Sequence, residues 1–242
     1  MLARHDLVYL DQAGREEACR WAVQMNPALP ARLLESWIVD GIEGIEIPGI
    51  VKRQEQVGSA LLELGFSTNC YSGESRIRIN TQVPASSVCR TTTPRQVVAL
   101  LPNYQNTHKR ETLLLLNAAA EKHGVCLGVF GSTALEMVTG LRYSSGRTDI
   151  DLTAYPQATC DLEGFYQEAL LIEKRQEVAL DIELILRETY GIKLKEYIGK
   201  PAEMLAKSMY SVQLLPIGEA QELFNQTVEH AAYLEKCRIA AL

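Results

Sequence analysis

Residues 125–153, VCLGVFGSTALEMVTGLRYSSGRTDIDLT, hold the pattern that decides the fold. Val125 to Phe130 is a short apolar run, read as a buried strand. Gly131-Ser132 reads as a sharp turn. From Thr133 to Leu141 the spacing of Ala134, Leu135, Val138 and Leu141 is helical. A strand, a small-residue turn and a helix leave unpaired backbone N–H groups at the helix start. There the amides and the helix dipole both favour an anion such as phosphate. The segment closes on Asp149-Ile150-Asp151-Leu152. On a strand the two aspartates share one face while Ile150 and Leu152 turn into the core.

Two carboxylates on one face repel unless a cation lies between them. A hard divalent ion such as Mg²⁺ suits such oxygen ligands and can bridge them to phosphates. Metal-dependent phosphoryl or nucleotidyl transfer is the chemistry this favours. A third acidic group is available in VALDIELIL, residues 178–186. Asp181 and Glu183 again lie two apart in an apolar run, where a charge needs a reason. Either could serve as base or complete a metal site. Arg142, Arg147 and Lys207 are candidate phosphate contacts. Arg76 and Arg78 alternate with isoleucine in SRIRIN (75–80) and share a strand face, suited to phosphates or to an acidic protein surface.

Outward from this centre, residues 4–10 read as a strand and 14–25 as a helix stopped at Asn26-Pro27. Residues 44–53 read as extended with a turn at Pro48-Gly49, and Val57–Phe66 as a strand. Ser67–Ser75 reads as a polar turn region, and 26–47 resembles an insertion. Thr93 is a good N-cap with Pro94 in the first turn. A helix is expected from Thr107 to His123, with Leu113, Leu116 and Ala120 inward and Gly124 as its stop. The TTTPRQ stretch at 91–96 marks a domain boundary, giving domains 1–92 and 93–242.

The chain has 242 residues, 47% apolar and 22% charged, with net charge −6. That composition fits a globular protein with a sizeable core and disfavours nucleic acid as a partner. No apolar run could span a bilayer, and the N-terminus lacks the pattern of a signal peptide. The six cysteines fall in no closely spaced pair, which argues against structural zinc. They fit a reducing cytoplasm and are expected to be mostly small buried groups.

The string GSTALEMVTGLRYSSGRTDIDL resembles the nucleotidyltransferase superfamily. Within it the string is similar to the malonate decarboxylase holo-acyl-carrier-protein synthases, also called phosphoribosyl-dephospho-CoA transferases. The matching residues are Thr139, Gly140, Tyr143, Asp149, Asp151 and Leu152, with Thr148 in the place of a serine. Asp181 and Glu183 match the family's Asp-Gly-Glu strand, with Ile182 replacing the glycine. Glu196, Leu205, Lys207 and Ser208 match later positions. His5-Asp6, residues 51–54 and the Arg76/Arg78 strand resemble the family's N-terminal part.

The resemblance implies an α+β fold: an N-terminal α/β domain that binds substrate or carrier, then a nucleotidyltransferase-like domain with a mixed sheet flanked by helices. It also implies a reaction. The phosphoribosyl-dephospho-CoA group would pass from its triphosphate precursor to a serine of the malonate decarboxylase acyl-carrier subunit, and diphosphate would leave. Asp149 and Asp151 would hold Mg²⁺, Gly131 and Ser132 would receive the donor's phosphates, and Asp181 or Glu183 would assist deprotonation. A nucleotidyltransferase with another hydroxyl or amine acceptor shares these features, as does a non-catalytic scaffold that binds a nucleotide or a carrier. A dinucleotide fold does not, since GVFGS lacks the third glycine.

Overall fold

In a computed structural model the described residues are 2–72, 75–143 and 149–240. The fold is α+β, with two separate sheets. The first has five strands: β1 (Leu7–Leu10), β2 (Gly49–Val51), β3 (Leu61–Ser72), β4 (Ser75–Pro84) and β5 (Val88–Thr92). They run in the order β4-β3-β2-β1-β5, antiparallel throughout. Helix α1 (Gln12–Met25) crosses this sheet, and the Thr81 hydroxyl donates to the Ala18 carbonyl at 2.6 Å. The apolar side of α1 meets α2 (Ala31–Ile38), which buries Leu34, Trp37 and Ile38.

Two expectations fail in this half. Residues 26–47 are not a mere insertion, because α2 lies within them and Arg15 ties it to α1 by donating to the Ile38 carbonyl at 2.6 Å. Ser67–Ser75 is not a turn region. β3 continues through it to Ser72 and pairs with β4, with a bulge between Ser67 and Tyr71. Thr68 makes the bulge possible. Its hydroxyl accepts the Cys70 N–H at 3.1 Å and lies 3.3 Å from the Ile77 carbonyl, so polar side chains replace the missing ladder bonds.

Thr93 then caps α3 (Pro94–Val98) with a reciprocal capping box through Gln96. Helix α4 (Thr107–Lys122) follows, with Leu113, Leu116 and Ala120 buried as expected. It leads into the second sheet. The strands are β6 (Val125–Val129), β7 (Ile150–Pro156), β8 (Leu180–Leu186), β9 (Tyr190–Lys193), β10 (Glu203–Lys207) and β11 (Val212–Pro216). Their order is β11-β10-β9-β8-β7-β6.

Among the described residues only β7 and β8 pair in parallel, and α6 (Leu162–Gln176) connects them; the other pairs are antiparallel. Such a crossover needs a helix between the parallel strands. Helix α5 (Gly131–Thr139) joins β6 to β7. It stops two residues before the expected Leu141, whose N–H is taken by the Thr139 hydroxyl at 3.1 Å. Helices α7 (Leu194–Gly199) and α8 (Ile217–Ala240) complete the chain.

The second sheet is two-faced. Leu152, Ala154, Ile182, Leu184, Ile192, Met204, Ala206 and Leu215 are buried on one face, above a core shared with Leu113, Leu116 and Phe165. The opposite face carries Asp151, Thr153, Asp181, Glu183 and Lys193, placed there by the strand registers. No helix among the described residues is long and apolar enough to cross a membrane. The six cysteines are free. Contrary to expectation none is fully buried: Cys70, Cys89 and Cys237 are exposed and the others half-buried.

Candidate active site

The parallel register places Asp151 directly beside Asp181. Adjacent strands lie about 4.8 Å apart, so the two carboxylates are immediate neighbours on the polar face. Ile150 and Leu152 are wholly buried on either side of Asp151, which fixes its direction. Asp149 precedes β7 and is exposed. Burial raises the Asp151 carboxyl to about 6. The negative charges of Asp181 and Asp149 add to the rise, and Lys193 and Lys109 oppose it. Lys193, on β9, brings its ammonium onto both oxygens of Asp181.

The turn after β6 meets this pair at close range. Gly131 has φ +65°, and a Cβ there would lie 2.0 Å from Asp151 Oδ2. Only glycine allows both the backbone angle and the approach. The Phe130 N–H donates to the Asp151 carbonyl at 3.1 Å, so strand and turn are locked together. Ser132 is the second residue of α5 and is buried.

Beneath α5 lies a group that the sequence reading passed over. The Lys109 ammonium donates to Thr133 Oγ1 at 3.2 Å and is 3.9 Å from Glu136. Glu136 accepts the Tyr104 hydroxyl at 2.5 Å and the Tyr143 N–H at 2.9 Å. Burial lowers the Lys109 pKa, while the charges of Glu136, Asp151 and Asp149 pull it back up. A buried cation is thus held near the first turn of α5 and near the carboxylates. Its signal was in the sequence: Lys109 lies on the same helical stripe as Leu113, Leu116 and Ala120.

The arginine candidates separate. Arg76 reaches from the first sheet to donate to the Tyr143 carbonyl, and its guanidinium lies 5.6 Å from the centre of that ring. Arg78 is exposed opposite Ser67. Arg142 is exposed at the rim of a cavity of about 730 Å³, also lined by Tyr104, His108, Lys109 and Glu136. Arg147 lies outside the described residues.

Lys207 belongs to another cluster, centred on Glu183. Its Nζ is 3.6 Å from Glu183 Oε1, while Arg4 and His5 approach Oε2 at 3.5 and 3.2 Å. Burial would raise the Glu183 pKa, but the hydrogen bond with His5 and the charges of His5, Arg4 and Lys207 outweigh it and hold it at about 2. The structure therefore separates two acids that the sequence left equivalent. Asp181 adjoins Asp151, and Glu183 is enclosed by Arg4, Lys207 and the His5 imidazole, whose own pKa burial lowers.

As to a metal, no group of three or more His, Cys, Asp and Glu able to hold an ion occurs among the described residues. Asp149 and Asp151 nonetheless suit a hard cation. They are oxygen donors whose mutual repulsion an ion would relieve. Mg²⁺ commonly takes only one or two carboxylates, with water and substrate phosphates completing its shell.

Family models match both halves of the chain. Residues 3–94 match the phosphoribosyl-dephospho-CoA transferase MdcG N-terminal domain, and residues 96–217 match the MdcG C-terminal domain. The chain belongs to the phosphoribosyl-dephospho-CoA transferase family. It is a transferase. A phosphoribosyl-dephospho-CoA transferase of Xanthomonas axonopodis pv. citri is 29% identical over 220 residues, 89% of this chain and 95% of the relative. One from Bradyrhizobium diazoefficiens is 29% identical over 217 residues, 88% of this chain and 89% of the relative. No solved structure matches the chain.

Proposed function

We propose that this transferase moves the phosphoribosyl-dephospho-CoA group from its triphosphate precursor to a serine of the malonate decarboxylase acyl-carrier subunit, with release of diphosphate. The observation that carries the reading is the Asp151–Asp181 pair packed against Gly131. It joins paired carboxylates to the N-terminus of α5, where backbone N–H groups and the helix dipole favour a phosphate. The family supplies the group transferred.

In this reading the N–H groups of the Gly131-Ser132 turn receive donor phosphates. Lys109 adds positive charge below them, and Arg76, Arg78, Arg142 and Arg147 are candidates around them. Asp149 and Asp151 would hold Mg²⁺, which when bound would neutralise phosphate charge. The serine oxygen forms a bond to the α-phosphorus, the bond to diphosphate breaks, and the serine proton passes to Asp181. Asp181 is preferred to Glu183 because it lies beside Asp151 in the parallel register, whereas Glu183 is turned to Arg4, His5 and Lys207. A carboxylate has about four lone-pair positions, so Asp181 can keep Lys193 and still accept a proton. Catalysis is then chiefly positioning and charge neutralisation.

In the domain division proposed here, residues 1–92 face substrate or carrier and 93–242 carry the chemistry. A cytoplasmic location accords with six unpaired thiols. The test is a mass measurement on the carrier subunit after incubation with the enzyme, Mg²⁺ and the triphosphate donor. A gain equal to the phosphoribosyl-dephospho-CoA group is expected. An unmodified carrier, or an equal gain with ATP as donor, would reject the reading.

A further inference from the structure

His5 occupies an unusual position. Its φ is +73°, in the left-handed region that non-glycine residues seldom enter. Such a conformation persists where the surroundings fix it, and here they do. The His5 N–H donates to the Val51 carbonyl at 3.1 Å, and its Nε2 lies 3.2 Å from Glu183 Oε2. Arg4 lies alongside, donating to the Lys207 carbonyl at 3.1 Å. Space for Glu183 comes from Gly191 on the neighbouring strand, where a Cβ would lie 2.6 Å from Glu183 Oε2. The N-terminal segment is therefore anchored on the polar face of the second sheet.

Anchoring alone does not account for the ring. Arg4 and Lys207 already face the Glu183 carboxylate, and a tether needs no aromatic group. The imidazole instead stacks on Phe130, with ring centroids 3.9 Å apart and planes inclined by 30°. Phe130 is the N-cap residue of α5, and its side chain makes no capping hydrogen bond. Its N–H is held by the Asp151 carbonyl, and the next residue is Gly131. So one contact fixes the backbone of Phe130 and another fixes its ring, immediately before the N–H groups of the turn.

We infer that His5 is a positioning residue of the phosphate-binding turn. Held by Glu183, its ring lies on Phe130 and sets where Gly131 and Ser132 present their N–H groups to a phosphate. This rests on the proposal that the turn receives the donor's phosphates. It adds that the N-terminal segment, by sequence remote from the turn, decides how well the turn does so.

Two substitutions separate ring from tether in the full chain. His5→Asn tolerates the left-handed backbone, has no ring, and its shorter amide does not reach Glu183 as Nε2 does. His5→Phe keeps a ring for Phe130 and loses the bond to Glu183. Each variant and the wild type are titrated calorimetrically with diphosphate and Mg²⁺, and donor and carrier KM are measured. The expected result is diphosphate binding about tenfold weaker and donor KM about tenfold higher in His5→Asn, with carrier KM unchanged. His5→Phe is expected to bind within twofold of wild type although it melts earlier. Wild-type affinity in His5→Asn, or equal weakening in both variants, overturns the positioning role. Absence of diphosphate binding by the wild type would instead remove the phosphate role of the turn, and this inference with it.

Discussion

Asp181 and Glu183 stand two residues apart on one face of β8, and their surroundings differ: Asp181 shares one lysine, Lys193, with a neighbouring acid, while Glu183 has two cations and an imidazole to itself. Beside Asp181 lies another acid, Asp151, whose carboxyl is raised to about 6 by burial and then by like charges. Around Glu183 lie Arg4, His5 and Lys207, which hold it at about 2. One region gathers Asp149, Asp151 and Asp181 beside the Gly131 turn, and the other surrounds a single acid with Arg4, His5 and Lys207. The difference teaches where to look for chemistry and where for architecture. Strained like-charge pairs beside a helix N-terminus suit a substrate that brings its own countercharge, and saturated acids suit assembly.

The largest effect that could break this contrast is on activity. Asp151→Asn is expected to reduce transfer to the carrier by at least about a thousandfold while circular dichroism remains unchanged, as for loss of a charge central to transition-state stabilisation. The same variant should gain stability, because it removes a repelled buried charge. Loss of activity together with loss of stability would mean that Asp151 is an architectural group like Glu183.

Gly131→Ala comes next. The added methyl meets Asp151 Oδ2 at 2.0 Å on a backbone with φ +65°. About a hundredfold loss of transfer and a cost of roughly 1–3 kcal/mol in urea unfolding are expected. Activity near wild type would show that the turn and Asp151 need not be in contact.

Glu183→Gln tests the other side of the comparison. It leaves Arg4 and Lys207 facing an uncharged partner at a buried site, so a loss of about 3 kcal/mol in urea unfolding is expected. Transfer by the folded fraction should fall less than in Asp151→Asn. A variant as stable as wild type but catalytically dead would make Glu183, not Asp181, the third functional acid.

Much of this contrast was legible in part and hidden in part. The β6–turn–α5–β7 segment could be read because each feature is local: an apolar run, a small-residue turn, helical spacing, then alternation. A period of two put Asp149 and Asp151 on one face, but β7 starts at Ile150, so the strand orients Asp151 alone and leaves Asp149 exposed before it. What separates Asp181 from Glu183 does not follow from that period, since His5 contacts Glu183 across 178 residues and Lys193 reaches Asp181 across the β8–β9 hairpin. Periodicity says which face a residue takes, not what another element brings to that face. Lys109 is the intermediate case, a lysine on an apolar stripe and therefore visible. The extension of β3 was concealed because Thr68 supplies side-chain bonds where polar composition suggests a turn. The resemblance named the reaction, but its acidic motif gave the two residues of β8 equal standing.

The smallest effect is also the sharpest, because the two acids should respond to pH in opposite windows. Glu183 has a folded pKa of about 2 against an ordinary 4.5. A depressed acid stabilises the fold above its unfolded pKa, and the gain disappears as pH falls towards 2. The stability gap between wild type and Glu183→Gln should thus be constant above about pH 5 and close below it. Asp151 behaves the other way, with a folded pKa of about 6 against 3.8. A raised acid favours the fold below its unfolded pKa, and the advantage is lost as pH rises through 6. Asp151→Asn should therefore match wild type near pH 4 and exceed it by about 2 kcal/mol above pH 7. Urea unfolding of the three proteins between pH 3.5 and 8 reads both windows at once. Addition of Mg²⁺ with diphosphate should narrow the Asp151 gap at pH 7.5 and leave the Glu183 gap alone, since only the first site gains a countercharge on binding. Equal narrowing of both gaps would show that the two clusters are one electrostatic unit, and the distinction between them would fall.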